Sequence, residues 1–420
     1  MRVCEGLRNT LGRERANERY SSSMRCPGVL VLAVLLRAGC TADPAPPTPT
    51  MSTPVPAAEG CPAGTTLRNE LCLADGAVAE ALSDIVHAQF ADAQLNAVVA
   101  GVWHDGEPVL VGALGESMTG VPATADMHHL LGNLSTPMFT TVVLQQVEAG
   151  ALSLDDPLST WFPDLPAADQ VTIDMLLHHT SGYRHYTEIP AFLDRLWADP
   201  FQHWEIQDLV DIGVAGGPVF TPGTDWLFSD TNTLILQQVI EEVTGRPAGE
   251  LLKEDIFDVL GMADSTAAFD ANWPSPVLHG YSDERGVWED VTHWSPTWTY
   301  TAGGVGADQE DVRVFLDALG EGSLLSPELH ALQFAPSTAG LGPWTDEQYW
   351  AMGFLQLDGW VFLNPGLSGY YGAGGTIPEE GWTMVVYTTA SETGDQSQPT
   401  ATDIFRQFTA VVTPEHSLAR

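Results

Sequence analysis

Apolar residues in the first folded segment recur at the spacing of an amphipathic helix. Over residues 76–93 they fall on one helical face, which predicts a helix that packs on a core. Residues 95–103 and 109–114 are apolar runs on either side of Asp105-Gly106, a pair typical of a two-residue β-hairpin turn. A helix followed by a hairpin is therefore expected. The apolar positions of the helix are Val78, Leu82, Ile85, Val86 and Phe90.

The middle of the chain has helical periodicity, and the tail returns to strand patterns. Residues 140–149 have helical spacing, and helical runs then alternate with Pro- and Gly-rich loops. Strands are predicted at 349–357, 360–363 and 382–388, before a closing helix at 401–412. Strands at both ends around a helical middle indicate an α+β fold, with a sheet lobe and a helical insertion.

Residues 1–40 are predicted to be an export signal. The apolar run 29–36 follows Met24-Arg25, which favours Met24 as the natural start, and it is too short to cross a bilayer. The segment ends in Ala-Gly-Cys, which resembles the end of a bacterial lipobox and would make Cys40 the lipidated first residue of the mature chain. Arg37 stands where such boxes prefer Leu, so free secretion is the alternative.

Residues 41–75 are predicted to be a Pro-rich spacer with a short disulfide loop, ahead of a domain at 76–415. Cys61 and Cys72 lie in the part of the chain that remains after an export signal is removed, so they form a natural pair in an oxidising compartment. Two cysteines without companion ligands do not indicate a zinc site. Neither a metal nor a cofactor is expected.

The charge of the chain restricts its partners. The formal net charge is −39, and residues 41–420 hold 52 acidic against 9 basic side chains. Such a charge repels nucleic acid and anionic lipid. The expected partner is therefore a small molecule or an envelope protein, with membrane attachment only through a lipid anchor.

Six sequence landmarks occur in a fixed order along the chain. They are GALSLDDP (150–157), LLHHTSG (176–182), PGTDWLFSDTN (222–232), VTGRP (243–247), AGGV (302–305) and GGT (374–376). In sequence and order they resemble the landmarks of the serine β-lactamases and D-alanyl-D-alanine carboxypeptidases. The resemblance covers roughly residues 82–389, and it implies an antiparallel sheet flanked by helices with an inserted helical lobe. It also implies a serine hydrolase active site.

The reactive residues of that family are replaced at its first motif. The family's S-x-x-K places a Ser and a Lys one helical turn apart, so that a neutral amine can deprotonate the attacking hydroxyl. In GNLSTPMF (132–139) these two places hold Asn133 and Thr136. Moving the frame to Ser135 puts Met138 at the Lys place, and the only lysine of the chain is Lys253. No S-x-x-K exists in this sequence.

The other two family motifs are replaced as well. Y-x-N, whose Tyr is thought to move protons, is matched by Phe228 and Asp230. K-T-G or H-x-G, which helps hold a substrate carboxylate, is assigned to 372–374, with Gly372 in place of the cation. A carboxylate ligand is therefore expected to bind poorly, because like charges about 4 Å apart cost roughly 4 kcal/mol near a protein surface. Residues expected to line the ligand site are Asn133, Ser135, Phe228, Asp230, Gly374, Gly375 and Thr376.

Several of these residues also have simpler structural interpretations. Ser135 and Thr136 precede Pro137, so a hydroxyl there is expected to cap the following helix. His178, His179 and nearby His185 have no carboxylate at ligand spacing and are expected to be solvated or hydrogen-bonded rather than metal-bound.

Two functional hypotheses remain, together with a weaker third. The first is an exported pseudoenzyme that binds a ligand or partner at the cell envelope without turnover. The second is a working esterase, amidase or carboxypeptidase with Ser135 as nucleophile and Asp230 or a His as base. The third is a purely structural envelope protein whose cleft is filled.

Overall fold

A single large antiparallel sheet organises the part of the chain that the computed structural model describes, residues 60–394 and 400–419. The predicted export signal with Cys40 and the spacer up to residue 59 lie outside the described residues. The strands are β1 (Thr66–Arg68), β2 (Leu71–Leu73), β3 (Leu95–His104), β4 (Glu107–Met118), β5 (Val121–Pro122), β6 (His129–Leu130), β7 (Tyr281–Ser282), β8 (Glu289–Asp290), β9 (Gly306–Ala307), β10 (Gln348–Trp350), β11 (Leu355–Leu357), β12 (Trp360–Leu363), β13 (Gly366–Leu367), β14 (Tyr370–Ile377) and β15 (Trp382–Ala390).

Helices cover both faces of this sheet, and most of them belong to a lobe between β6 and β10. The helices are α1 (Ala77–Asp92), α2 (Ser135–Glu148), α3 (Ile173–Leu177), α4 (Pro190–Ala198), α5 (Ile206–Val214), α6 (Asp230–Thr244), α7 (Ala248–Leu252), α8 (Asp258–Leu260), α9 (Gln309–Glu321), α10 (Pro327–Gln333) and α11 (Thr400–Val412). The strand order is β1-β2-β4-β3-β15-β14-β12-β11-β10, with β5 beside β4 and β13 beside β14. The predicted α+β fold, an antiparallel sheet flanked by helices with an inserted helical lobe, is confirmed.

The helix and the hairpin predicted within residues 76–114 are confirmed. Helix α1 buries Leu82 and Val86, and it packs with α11 on one face of the sheet. Strands β3 and β4 form the hairpin, and its turn holds Asp105 at φ 51° and Gly106 at φ 77°. Left-handed backbone at both turn positions matches the right-handed twist of the paired strands, which is why Asp-Gly is favoured there.

One strand prediction in the tail is wrong, and one strand was not predicted. Residues 349–357 form two short strands, β10 and β11, because the chain turns between them at Gly353, whose φ is 102°. Strand β14 was not predicted, since its glycine-rich sequence has little intrinsic preference for strand. It lies between β12 and β15, so the ladders on both sides hold it in the sheet.

The second face of the sheet carries the helical lobe and the larger core. Helix α9 packs directly on β3, β14 and β15, and α2 packs against α6 and α7. The first turn of α2 is thereby enclosed between the sheet and the lobe. This is the place at which the sequence puts the family's first motif.

A disulfide joins Cys61 to Cys72, as predicted. Cys72 lies in β2, which pairs with β1 on one side and with β4 on the other. The disulfide loop therefore adds two strands, with β1 outermost, at one edge of the sheet. Among the described residues, no helix combines the length and the apolar character that crossing a membrane requires.

Replacing both Cys61 and Cys72 by Ser is expected to lower the free energy of unfolding by about 3 kcal/mol, because the cross-link restrains a short loop of the unfolded chain. Urea unfolding followed by tryptophan fluorescence measures the loss. Reductant should shift the midpoint of the wild type to that of the variant and leave the variant unchanged. Equal midpoints for both proteins without reductant would contradict the prediction.

Candidate functional site

The first turn of α2 is continuous with a preceding 3₁₀ turn. Residues Gly132–Leu134 form this turn, and Leu134 has helical dihedral angles, φ −63° and ψ −18°. The backbone N–H of Ser135 donates to the carbonyls of Gly132 and Asn133. The expectation that Ser135 or Thr136 caps the helix is therefore wrong, because both already lie inside it and no side chain caps this end.

The side chains of this turn are enclosed. Ser135 is 0% exposed, and its Oγ accepts a hydrogen bond from the Val305 backbone N–H at 3.4 Å. Thr136 is 1% exposed, and its Oγ1 has no hydrogen-bond partner among the described residues. The buried Oδ1 of Asn133 also lacks a hydrogen-bond partner among them. The Ser135 hydroxyl is therefore enclosed by the protein in this structure.

An aromatic wall surrounds the second motif. It consists of Trp226, Phe228, Trp344 and Trp350. The Phe228 ring centroid lies 5.5 Å from that of Trp350, and Trp226 meets Trp344 at 4.8 Å. Buried indole nitrogens of Trp226 and Trp344 have no acceptor among the described residues. Phe228 therefore occupies the family's proton-transfer position as part of an apolar surface.

His179 holds the start of α6. Its Nδ1 accepts hydrogen bonds from the Ser229 backbone N–H at 3.0 Å and from Asn232 Nδ2 at 3.2 Å. Burial, reinforced by the nearby His185 and His178, lowers the pKa of His179 to about 3. The neutral ring is thus a fixed acceptor, and its stacking on Phe228 at 4.8 Å positions the aromatic wall. In the described part of the chain, no three His, Cys, Asp or Glu side chains are arranged to hold a metal ion.

Asp230 is a largely buried carboxylate at the first position of α6, with its side chain 17% exposed. Its Oδ2 lies 3.9 Å from His185 Nε2, whereas its Oδ1 is buried without a partner among the described residues. Burial raises the pKa of Asp230 to about 7 and lowers the pKa of His185 to about 4. At neutral pH, His185 is therefore uncharged, and Asp230 is divided between its two protonation states.

The segment that packs on the start of α2 differs from the one to which the sequence assigns the third motif. Gly372 is covered, because a Cβ there would lie 2.7 Å from Pro365 Cγ and 2.7 Å from the Tyr387 ring. The segment that reaches the start of α2 is 364–366, directly after β12. A Cβ on Gly132 would lie 2.6 Å from the Cβ of Pro365. Asn364-Pro365-Gly366 has the Gly at the third place of K-T-G or H-x-G, and a neutral Asn364 at the place of the cation.

Residues 374–376 do not line the site, contrary to the expectation from the sequence. Gly374 lies beneath Leu134, since a Cβ there would be 3.0 Å from both Leu134 Cδ atoms. A Cβ on Gly375 would point to Phe405 of α11, on the opposite face of the sheet. Thr376 Oγ1 donates to the Trp382 carbonyl and accepts from Thr383, beside α9.

The sequence pattern that could have identified residues 364–366 is a Gly two residues after a polar side chain at the end of a strand.

Comparison with known proteins agrees with this architecture. The family profile described as Beta-lactamase matches residues 82–407. The chain belongs to the β-lactamase family. A putative penicillin-binding protein, PbpX of Bacillus subtilis, is 30% identical over 220 residues, which are 50% of this chain and 52% of that protein. The esterase EstB of Burkholderia gladioli is 26% identical over 301 residues, 63% of this chain and 74% of the esterase.

Solved structures share the fold of this β-lactamase-family chain. The D-stereospecific amidohydrolase of a Streptomyces species superposes with a TM-score of 0.70 at 24% identity, covering 80% of this chain and 98% of the amidohydrolase. The D-amino acid amidase of Ochrobactrum anthropi SV3 has a TM-score of 0.69 at 22% identity, and the superposition covers 81% of this chain and 99% of the amidase. At this level of identity the likeness shows the β-lactamase/transpeptidase-like fold alone. The chain spans about half the length of PbpX.

Asp230→Asn is expected to stabilise the protein at about pH 8 by on the order of 2 kcal/mol, and far less at about pH 5. Because the folded pKa of Asp230 is raised to about 7, the folded state binds the extra proton and loses stability as pH rises through that value. Asn has no charge to bury. Urea unfolding at both pH values measures the difference.

Asp225→Asn is the matched control, because Asp225 is exposed and its Oδ1 accepts backbone hydrogen bonds that an Asn Oδ1 can also accept. It should show no such gain at about pH 8. A gain from Asp230→Asn that is equal at both pH values would mean that the buried charge is not its cause.

Proposed function

We propose that this chain is a non-hydrolytic member of the β-lactamase family that binds a ligand or partner outside the cytoplasm. The observation that carries the proposal is the pair Asn133 and Thr136 at the first motif. An amide is no acyl-transfer nucleophile, and a threonine hydroxyl is no base at neutral pH. The only lysine, Lys253, has a 63% exposed side chain and pairs with Asp258 at 2.6 Å.

The enclosure of Ser135 weighs against the alternative of a working hydrolase. A nucleophilic hydroxyl needs both a base within hydrogen-bond reach and access to the carbonyl it attacks. The contact described for Ser135 Oγ is a backbone N–H, which is a donor and cannot take its proton. Phe228 removes the phenol that the family places nearby, so the first two motifs lack their proton-transfer groups.

An extracytoplasmic location is supported by the covalent structure. The disulfide between Cys61 and Cys72 fits an oxidising compartment, where such bonds persist. The signal-like residues 1–40 support export, and the sequence before Cys40 supports attachment to the cell envelope through a lipid on that cysteine. The acidic surface makes an anionic lipid or nucleic acid an unfavourable partner.

Incubation of the purified protein with a fluorescent penicillin or a fluorophosphonate is expected to leave it unlabelled, because the sequence contains no S-x-x-K to activate a serine. Intact-mass spectrometry after long incubation measures the bound adduct, and a family member with S-x-x-K is the positive control. Stoichiometric labelling that disappears in Ser135→Ala would establish the hydrolase alternative instead. Labelling at any other serine would equally refute the proposal.

Asn133→Ser combined with Thr136→Lys is expected to remain poorly acylated by penicillin. The nucleophile and base would be present, but Asn364 offers no positive charge to the ligand carboxylate and Asp230 repels it. Adding Asn364→Lys and Asp230→Asn to this pair should raise the rate of acylation by at least about tenfold, equivalent to about 1.4 kcal/mol. Fast acylation of the double variant would show that the carboxylate interaction is unimportant.

A further inference from the structure

A cluster of acidic side chains outside the three motifs joins the loop after α8 to the start of α9. The backbone N–H of Asp264 donates to Asp311 Oδ2 at 2.9 Å, and the Ser265 hydroxyl donates to the same oxygen at 2.9 Å. Asp308 is the N-cap of α9, and its Oδ1 accepts from the Asp311 backbone N–H at 2.9 Å. Carboxylates from two separate segments therefore meet at this junction.

His128, directly before β6, faces this cluster. It is 2% exposed, and its Nε2 lies 3.6 Å from Asp264 Oδ1, too far for a hydrogen bond. Nε2 is buried and has no hydrogen-bond partner among the described residues. The side chain of Asp264 is 60% exposed, so the cluster borders solvent on that side. The backbone of His128 is held in place, since its N–H donates to the Pro276 carbonyl at 2.8 Å and its carbonyl accepts from the Leu278 N–H at 2.9 Å.

The hydrogen bond at the other ring nitrogen decides what His128 presents to Asp264. Nδ1 lies 2.9 Å from the Pro276 carbonyl, which can only accept, so Nδ1 carries the hydrogen of that bond. In the neutral ring Nε2 is then an acceptor, and its lone pair faces a carboxylate oxygen. Two acceptors form no hydrogen bond. A proton on Nε2 turns the same contact into a charge-assisted hydrogen bond.

The carboxylates around His128 favour that proton. Burial, together with the carboxylates of Asp311 and Asp264, raises the pKa of Asp308 to about 6. Burial also raises the pKa of Asp311 above its ordinary value, and the charge of Asp264 adds to this. The repulsion among these groups falls when the cluster gains a positive charge, because an opposite charge close by stabilises an ionised carboxylate.

The other charged groups next to the cluster do not supply this positive charge. Arg313, one turn further along α9, pairs with Glu310 at 2.5 Å and with Asp317 at 2.6 Å. His129 is adjacent to His128, and burial, reinforced by His128, lowers the pKa of His129 to about 3. At neutral and mildly acidic pH, His129 is therefore uncharged. The proton that the cluster lacks has to come from solution.

We propose that His128, Asp264, Asp308 and Asp311 form a clasp that mild acid tightens, fastening the loop after α8 to the start of α9. Uptake of a proton creates the hydrogen bond from His128 Nε2 to Asp264 and reduces the repulsion among the carboxylates. At alkaline pH the same groups repel one another, and the junction loosens. The inference concerns the scaffold and goes beyond the proposed function, because it holds whether or not the site hydrolyses a substrate.

The clasp stabilises the folded state at low pH and loses this contribution as pH rises, because its proton binds more readily in the folded protein than in the unfolded chain. For Asp308, the contribution is lost between about pH 4 and about pH 6. The buried His129, His179 and His185 act in the opposite direction, because burial lowers their pKa values and the unfolded chain binds their protons more readily. The clasp is therefore measured as the coupling between two of its members.

A double-mutant cycle of His128→Asn and Asp264→Asn, followed by urea unfolding, measures this coupling at about pH 5.5 and about pH 8. The Asn side chain keeps a donor for the Pro276 carbonyl and has no counterpart of Nε2. At the lower pH, the coupling should favour the folded state by about fivefold or more in the unfolding equilibrium constant, and at the higher pH by less than about twofold. Equal coupling at both pH values would overturn the proposal.

The matched control is the same cycle with His104→Asn and Asp105→Asn. His104 Nε2 lies 3.8 Å from Asp105 Oδ2, and these side chains are 45% and 78% exposed. Exposed ion pairs contribute little, so the coupling should stay below about twofold at both pH values. A control coupling that equals that of the clasp would mean that any neighbouring His and Asp behave in this way, and the assignment of a clasp would be wrong.

NMR of the protein labelled with ¹⁵N-histidine follows the proton itself. The signals of His128, identified by their loss in His128→Asn, should show a hydrogen on Nδ1 alone at about pH 8 and on both nitrogens at about pH 5.5. In Asp264→Asn the second hydrogen should appear only at lower pH, because the counter-charge is gone. A hydrogen on Nε2 alone at about pH 8 would refute the geometry on which the clasp rests.

Hydrogen exchange tests the fastening without removing His128. The Thr266 amide donates to the Gly306 carbonyl at 2.8 Å across the same junction. After correction for the intrinsic pH dependence of exchange, its protection should be at least about fivefold higher at about pH 5.5 than at about pH 8. Asp264→Asn, at a largely exposed side chain, should abolish this gain. Protection that is the same at both pH values in the wild type would overturn the proposal.

Discussion

The hydrogen bond from the Ser229 backbone N–H to His179 Nδ1 is the contact on which the site depends. It joins the loop after α3 to the start of α6, and Asn232 makes a second bond to the same nitrogen. Asn232 is in turn fixed by the Ser181 hydroxyl, which donates to its Oδ1 at 2.6 Å. Because the ring remains neutral, this acceptor is available over the whole physiological pH range. The backbone frame around Phe228 and Asp230 is therefore rigid, whatever chemistry the side chains provide.

This hydrogen-bonded frame is compatible with the absence of hydrolysis that we propose. The β-lactamase fold depends on the sheet, on the buried face of α2 and on the turn at His179, and none of these requires a nucleophile. Catalysis in this family requires in addition a hydroxyl with an amine next to it. Asn133 and Thr136 stand at those two positions, and neither side chain can serve as the amine base that takes up the proton. Asn133, Thr136 and Phe228 at the motif positions are compatible with an intact core, since Thr136 is buried and Phe228 adds to the aromatic wall.

The buried charge of Asp230 has an energetic cost. A carboxylate that is buried with one unpartnered oxygen costs folding free energy, which its raised pKa expresses. The stability that we expect Asp230→Asn to gain at high pH is a consequence of this one buried charge.

Local sequence determined the helix α1, the Asp105-Gly106 hairpin, the disulfide partners and the absence of any S-x-x-K, because each depends on a few neighbouring residues or on a residue type that occurs once. Tertiary structure decided the rest. The frame of the third motif depends on which segment, 364–366 or 372–374, packs on Gly132, and that contact joins places far apart in the chain. Packing around α2 buries Ser135, and packing around α6 leaves the Oδ1 of Asp230 buried without a hydrogen-bond partner among the described residues. Local sequence could not predict either, since burial and dielectric environment are properties of packing.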